Sequence, residues 1–317
     1  MRLQRYNESD ADDWDVCCER SYMSTFIHKR KFLSYHGSRF SDTSIMIMQD
    51  DDIIGVLPAA QDPVDPSVVM SHPGLTYGGI LHDGKLRGNR MIEAMEMICS
   101  YYADNGFSRF RYKTIPAIYH QAPAQDDVYA LFRMNAKCYR CDLSSAINLN
   151  NRLKVSSRRQ RGVKKAQKNV INIQEGVEYS SAIWNVLHEN LKRKHDTNPV
   201  HTLEEITDLY NRFPNEIKFI AGLFDGKVES GIVLFQSHNV WHVQYSASSQ
   251  KGCDSGGLDA LYDSCIKSAA EKNIQYFNFG VSTEDMGNNL NVGLYEFKKE
   301  FGAGGVIHEF FEIDLEG

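Results

Sequence analysis

The sequence predicts an α+β (α/β) fold of two similar modules in tandem, residues 1–150 and 151–317, each a mixed central sheet flanked by helices. Three observations predict it. The same order of elements (helix, hairpin, strand, loop, helix, strand) can be traced through each half. Asp225-Gly226 stands between two apolar runs of the second half, a strong short hairpin signal. Finally, 317 residues exceed the roughly 250–300 that one hydrophobic core usually serves.

In the first half, apolar residues at helical spacing extend over 12–35. A hairpin follows, with runs at 44–48 and 53–58 joined by the acidic turn Asp50-Asp51-Asp52. A strand is expected over 75–80, then a helix over 89–104 whose Met91, Ile92, Met95, Ile98, Cys99 and Tyr102 share one face, then a strand over 107–112. The second half repeats this with helical segments over 182–211, a hairpin at 218–224 and 228–235, and a strand over 241–247. A helix over 257–272, carrying Leu258, Leu261, Tyr262, Cys265, Ile266 and Ala269, and a strand over 276–280 complete it. Asn105-Gly106 and Asn273 suit left-handed helix ends. The hairpins are antiparallel and each strand–helix–strand crossover is parallel, so each sheet is mixed. No Pro- or Gly-rich linker marks the boundary near 145–165, which predicts modules packed together with a cleft between them.

Composition narrows the function. Hydrophobic residues at 42% and charged residues at 24% exclude a disordered chain. A net charge of −6 argues against a protein that coats nucleic acid, leaving room for one local basic patch. The N-terminus lacks the apolar core of a signal peptide, and no apolar run reaches the roughly 18 residues of a membrane span. Seven cysteines with no disulfide-like spacing point to a cytoplasmic protein with reduced thiols. Cys138-Tyr139-Arg140-Cys141 lies in an alternating, strand-like stretch and has no second pair for zinc, so two thiols on or near a strand are the expected reading.

The stretch 276–302 carries the most specific signal. Tyr276-Phe277-Asn278-Phe279-Gly280 is followed by Gly293-Leu294-Tyr295-Glu296-Phe297-Lys298-Lys299-Glu300-Phe301-Gly302. This resembles the aromatic–Asp–Phe–Gly strand end and the Gly-Leu-x-x-Phe-Lys-x-x-Phe-Gly segment of FemABX-like proteins, with Asn278 in place of the usual Asp. The basic stretch 158–166 resembles the helix that opens their second module. The module itself resembles the GNAT acyltransferase unit. The resemblance implies a tandem GNAT-like acyltransferase of the FemABX or polysaccharide-biosynthesis kind. FemABX proteins transfer amino acids from aminoacyl-tRNA to peptidoglycan precursors.

Candidate site residues follow from these readings. The segment 248–257 would cradle the pyrophosphate of an acyl-coenzyme A through Gln250, Gly252, Gly256 and Gly257, since glycines let backbone N–H groups approach a phosphate. Its glycines are out of register with the usual GNAT loop signature, and an ordinary strand–helix loop is the competing reading. The Phe-Lys match makes Lys298 a candidate phosphate or oxyanion group, against the common fate of lysines in solvent. Tyr245 would protonate a leaving thiolate and Glu284 would take the acceptor's proton. Gln244, Ser282, Asn291, His201, His36 and Tyr77 are candidate substrate contacts, with packing or turn formation as the alternative for each. His195 beside His201 is a further candidate for a cleft wall. No histidine or carboxylate spacing supports a metal. Arg152, Lys154, Arg158, Arg159, Arg161, Lys164, Lys165 and Lys168 form either a solvated helix face or an electropositive wall for a phosphorylated substrate.

The expected protein is therefore an acyltransferase that moves an acyl group from a thioester, acyl-coenzyme A, to an amine or hydroxyl of a sugar or cell-envelope precursor. The alternatives are an aminoacyl-tRNA-dependent transferase on a cell-wall precursor, and a catalytically degenerate module that binds carbohydrate or a partner protein.

Overall fold

The computed structural model describes residues 1–195 and 197–315, without the side chains of residues 193–195. Two compact units emerge. The first comprises Met1–Leu143, Thr283–Asn289 and Ile307–Gly317; the second comprises Ser144–Ser282 and Leu290–Val306. Neither is one continuous stretch of chain, a return that the expected division at 150/151 does not contain.

The first unit opens with β1 (Arg2–Arg5), α1 (Ala11–Arg20) and α2 (Arg30–Leu33). Helix over 12–35 was expected as one pattern, and here the structure differs. A Thr25 cap starts a separate 3-10 turn, Phe26–His28, and the backbone is extended at Ser21, Thr25 and Lys29. Ser and Thr side chains compete with helical hydrogen bonds and break the periodic run. The expected hairpin forms as β2 (Ile45–Gln49) and β3 (Asp52–Leu57), with Asp50 in the left-handed region of the turn. Short strands β4 (Ala60–Gln61), β5 (Val68–Met70) and β6 (Leu81–His82) follow, then α3 (Asn89–Asp104), β7 (Arg109–Lys113) and α4 (Asp126–Arg133). Strands β1-β2-β3-β6 form one sheet; β5 and β7 pair in parallel around the α3 crossover. Met91, Ala94, Met95, Ile98 and Tyr102 of α3 pack on Ile45, Ile47, Ile54, Leu57 and Phe110.

The strand expected over 75–80 does not form. Residues 73–80 run irregularly, held by Lys113, whose Nζ donates to the carbonyls of His72, Pro73 and Leu75 at 3.0, 3.3 and 2.7 Å. Gly78 and Gly79 serve close packing there: a Cβ on Gly78 would lie 2.6 Å from the Ser71 carbonyl oxygen, and Gly79 has φ +98°.

The chain passes into the second unit within β8 (Lys137–Asn148). Then come α5 (Ser157–Lys168), β9 (Asn172–Glu175), α6 (Ser180–His195), α7 (Leu203–Arg212), β10 (Ile217–Phe224), β11 (Lys227–Gln236) and β12 (Val240–Ser248). After these follow α8 (Gln250–Ser255), α9 (Gly257–Glu271), β13 (Tyr276–Val281), β14 (Thr283–Glu284), β15 (Asn289–Leu290), α10 (Val292–Lys299) and β16 (Gly304–Asp314). The second unit's strand order is β8-β13-β12-β11-β10-β9. Asp225 and Gly226 turn the β10–β11 hairpin at φ +50° and +73°, as a two-residue primed turn requires. Side chains alternate between faces: Gly231 lets Ile183 of α6 approach one face, while Ile232, Leu234 and Val243 meet Leu261, Tyr262 and Ile266 of α9 on the other.

Candidate active site

The second unit's sheet is interrupted where two strands part. β12 and β13 pair in parallel only from Val240–Tyr276 to His242–Asn278, yet β12 continues to Ser248 and β13 to Val281. Each is bulged near the divergence. Tyr245 lies opposite Val233 and Val243 opposite Leu234, so Gln244 is the extra residue on β12. On β13 the register against β8 shifts between Asn278 and Val281. Asn278, fully buried, holds this second bulge: its Oδ1 accepts from Ser144 Oγ at 2.7 Å and from the Gly280 amide at 2.8 Å. Gly280 takes φ +78°, a backbone state that a side chain would strain.

Lys298 completes this strand end. α10 places it 5% exposed; its sequence neighbours Phe297 and Phe301 pack on each other, Phe297 on Tyr262 and Phe301 on Phe279. Its Nζ donates to the carbonyls of Gly280 at 2.9 Å and Val281 at 2.6 Å. Burial lowers the ammonium's pKa to about 7. Ser282 and Asn291 come to the same place. The Asn291 backbone amide donates to the Ser282 carbonyl at 2.8 Å, the Ser282 Oγ is buried with no hydrogen-bond partner among the described residues, and Asn291 Oδ1 caps α10 by accepting from the Leu294 amide.

Tyr245 and His201 meet on the α6 face. The phenol oxygen accepts the His201 backbone N–H at 3.2 Å and lies 2.6 Å from His201 Nδ1, while Trp184 packs edge-on against the ring. With its oxygen already accepting that N–H, the phenol can pass its own proton to Nδ1. Burial raises the Tyr245 pKa, partly offset by the His201 bond and a hydrogen bond from Gln244. Gln244, Tyr245 and His201 thus form one group, and Ser282, Asn291 and Lys298 another, both in the second unit. The His195 side chain lies outside the described residues.

The expected phosphate cradle is where the structure departs furthest from the sequence reading. Residues 250–255 are not a loop but the helix α8, with Ser249 as its N-cap, accepting from the Gly252 amide. Ser249 Oγ also donates to the Glu229 carboxylate, so the protein's own anion sits at this helix start. The glycines face protein atoms. A Cβ on Gly252 would lie 2.3 Å from the Glu229 carbonyl oxygen, on Gly256 2.6 Å from that of Gly162 in α5, and on Gly257 2.2 Å from Ser230 Oγ. Gln250, exposed, bonds Asp254 one turn on. A packing role predicts that Gly257→Ala destabilises the protein by about 1–3 kcal/mol in a denaturant titration. A glycine kept only for phosphate approach would leave stability unchanged.

In the first unit, His36 and Tyr77 are both buried. His36 Nδ1 lies 3.0 Å from the Leu33 carbonyl, stacks near His72 and lines a hollow of about 710 Å³. Tyr77 bonds Thr25 Oγ1 at 3.1 Å and stacks on Tyr119. Glu284 is exposed on β14. The sequence reading missed Ser144 and Trp184 as site residues; neither carries a local signal, because each acts through a partner more than 50 residues away. Among the described residues no group of three His, Cys, Asp or Glu is placed to hold a metal ion, and no helix is long and apolar enough to cross a membrane.

No protein-family model and no curated protein matches the sequence. Solved structures do match. FemX superposes with a TM-score of 0.69 at 10% identity, covering 99% of this chain and 97% of its own. A tandem GNAT protein from the clavulanic acid biosynthesis pathway superposes with a TM-score of 0.54 at 7% identity, covering 99% and 98%. The chain has the tandem GNAT fold. L-PGS from Bacillus licheniformis shares it as well, with a TM-score of 0.62 at 10% identity over 96% of this chain and 92% of that one. Likeness at this distance establishes architecture, and function must come from the site. Within the tandem GNAT fold, the parted strands β12 and β13, with Lys298 at their end, are the feature the sequence motif at 276–302 encodes.

Proposed function

We propose that this tandem GNAT chain is an aminoacyltransferase: it moves an aminoacyl group from an RNA-borne ester to an amine or hydroxyl of a sugar or cell-envelope precursor. The carrying observation is the parted end of β12 and β13, where Lys298 sits buried against the Gly280 and Val281 carbonyls. A gap between parallel strands exposes backbone groups that can hold an extended acyl substituent, and a nearby ammonium favours the oxyanion formed on attack. Tyr245 with His201 offers a route for the proton released by the attacking amine or hydroxyl. Gln244, Ser282 and Asn291, all in the second unit, are the proposed contacts for the acceptor or the aminoacyl group.

The donor follows from charge. The closed start of α8, with Glu229 against Ser249, weakens the expected coenzyme A seat. α5 instead presents Arg158, Arg161, Lys165 and Lys168, all exposed and spaced three or four residues apart, as one cationic stripe suited to a phosphate backbone. Neutralising about four phosphates predicts that affinity for aminoacyl-tRNA falls about 100-fold between 50 and 200 mM salt. Replacing the four cations by glutamine should remove most of that dependence. The decisive assay supplies aminoacyl-tRNA or acyl-coenzyme A with sugar and envelope-precursor acceptors and follows transfer by mass spectrometry. Turnover of acyl-coenzyme A, with none from aminoacyl-tRNA, would reject the RNA donor. Within the first assay, Tyr245→Phe should lower kcat by about 10²-fold, the usual worth of a positioned acid or base, with donor KM little changed.

A further inference from the structure

The face of α5 opposite the cationic stripe lines a groove that the proposed reaction does not use. The groove runs between α5 and α9 in two adjoining hollows of about 390 and 240 Å³, which share Val163, Gln167, Asp263 and Lys267. Together they fall within the size class of small-molecule sites.

Its two ends differ in chemistry. At one end stands Arg152, half-buried, its Nε donating to the Phe301 carbonyl at 2.9 Å. That bond fixes the guanidinium plane, while its two terminal nitrogens have no protein partner among the described residues. The Asp263 carboxylate favours its charge only at a distance, without a hydrogen bond, so burial still outweighs it and a bidentate anion would offset the remaining cost. Lys164, with no hydrogen bond or ion pair among the described residues, lies one helical turn from Gln160 on the same wall. The acid of the groove, Asp263, is already paired with Lys267 at 2.6 Å. At the other end the wall turns aliphatic, with Ala166, Ile171, Ile173 and Ala260 around Val163.

From this segregation we infer that the α5–α9 groove binds a single-chain anionic amphiphile. A phosphate or carboxylate head is held by Arg152 and Lys164, and one alkyl chain lies along Val163, Ile171 and Ile173. A nucleotide would fit the cationic end but would place a base edge against aliphatic side chains with little to hydrogen-bond it.

The full-length chain is titrated with octyl, decyl and dodecyl phosphate below their micelle concentrations, with dodecanoate as the carboxylate arm, by calorimetry and thermal shift. Saturation at one ligand per chain is expected, with affinity rising about tenfold for every two methylenes added, since each buried methylene contributes about 0.8 kcal/mol. Arg152→Gln should weaken every ligand at least tenfold. Lys164→Gln, an exposed change that leaves the Phe301 bond intact, should weaken the phosphates more than dodecanoate. Comparable affinity for dodecanoate and dodecyl phosphate assigns the site to carboxylate or phosphate heads alike, and a preference for one narrows the head. The inference is overturned by absence of saturable binding. It also fails if affinity is independent of chain length, if inorganic phosphate or AMP binds as tightly as dodecyl phosphate, or if both variants bind like the parent.

Discussion

Lys298→Met is expected to lower kcat by 10²- to 10³-fold, the usual worth of one preorganised group at a developing oxyanion, while the protein stays folded. The side chain lies buried, and among the described residues no carboxylate is paired with it and two carbonyl oxygens satisfy its ammonium. Methionine fills nearly the same volume without a charge to desolvate, so its melting temperature should equal or exceed that of the parent. A merely structural lysine would show the opposite pattern, with lost stability and kcat near normal. The pH profile separates the two further. With the lysine's pKa lowered to about 7 by burial, the charged form is lost as pH rises through neutrality. Parent kcat should therefore fall on the alkaline side of about pH 7, and that limb should be missing from the residual activity of Lys298→Met. An unaltered profile in the variant would show that the ammonium does not stabilise the transition state.

What was readable in the sequence is what is settled over short stretches of chain. Asp225-Gly226 fixes its hairpin because the turn needs two residues at positive φ, and the apolar face of 89–104 fixes α3. Lys298 was legible through its motif, but its burial and its hold on Gly280 and Val281 were not, since both depend on a strand 17 residues earlier. The segment 248–257 misled for a physical reason. Glycines that admit a phosphate and glycines that admit a neighbouring backbone look alike in sequence, and here Gly252, Gly256 and Gly257 admit Glu229, Gly162 and Ser230. The Ser249 cap, visible in hindsight as a serine three residues before Gly252, marks the helix that a glycine-rich reading hides. Irregular backbone at 73–80 was equally hidden, because the lysine that organises it, Lys113, lies about 40 residues away. The same holds for β16, which pairs with β7 across some 200 residues.

Stability should keep rising with pH well past neutrality, and two lysines are the cause. Lys113 and Lys298 are buried among carbonyl oxygens, and desolvation lowers each pKa from 10.5 to about 7, Arg140 adding to the effect at Lys113. Between those limits the unfolded chain still holds a proton that the folded chain has shed, so raising the pH favours the fold. Each lysine adds a slope of up to about 1.4 kcal/mol per pH unit in this window. Below it, buried His28, His82 and His308, with pKa values lowered to about 4, act in the same direction between about pH 4 and 6.5. Above about pH 9 the sign reverses. Burial raises the Cys17 thiol to about 11, the Cys99 and Cys265 thiols to about 12 and the Cys18 thiol further, and Tyr77 and Tyr102 well above the ordinary phenol range. The unfolded chain then loses those protons first, which penalises folding. Maximum stability is therefore expected near pH 9, and urea titrations at pH 7.0, 8.0, 9.0 and 10.0 locate it. Lys298→Met should remove one lysine's share of the slope, and Lys113→Met, where it folds, the other. Equal slopes in the parent and in Lys298→Met would show that this ammonium keeps an ordinary pKa in the fold, and the alkaline limb assigned to it in the kcat profile would then need another source.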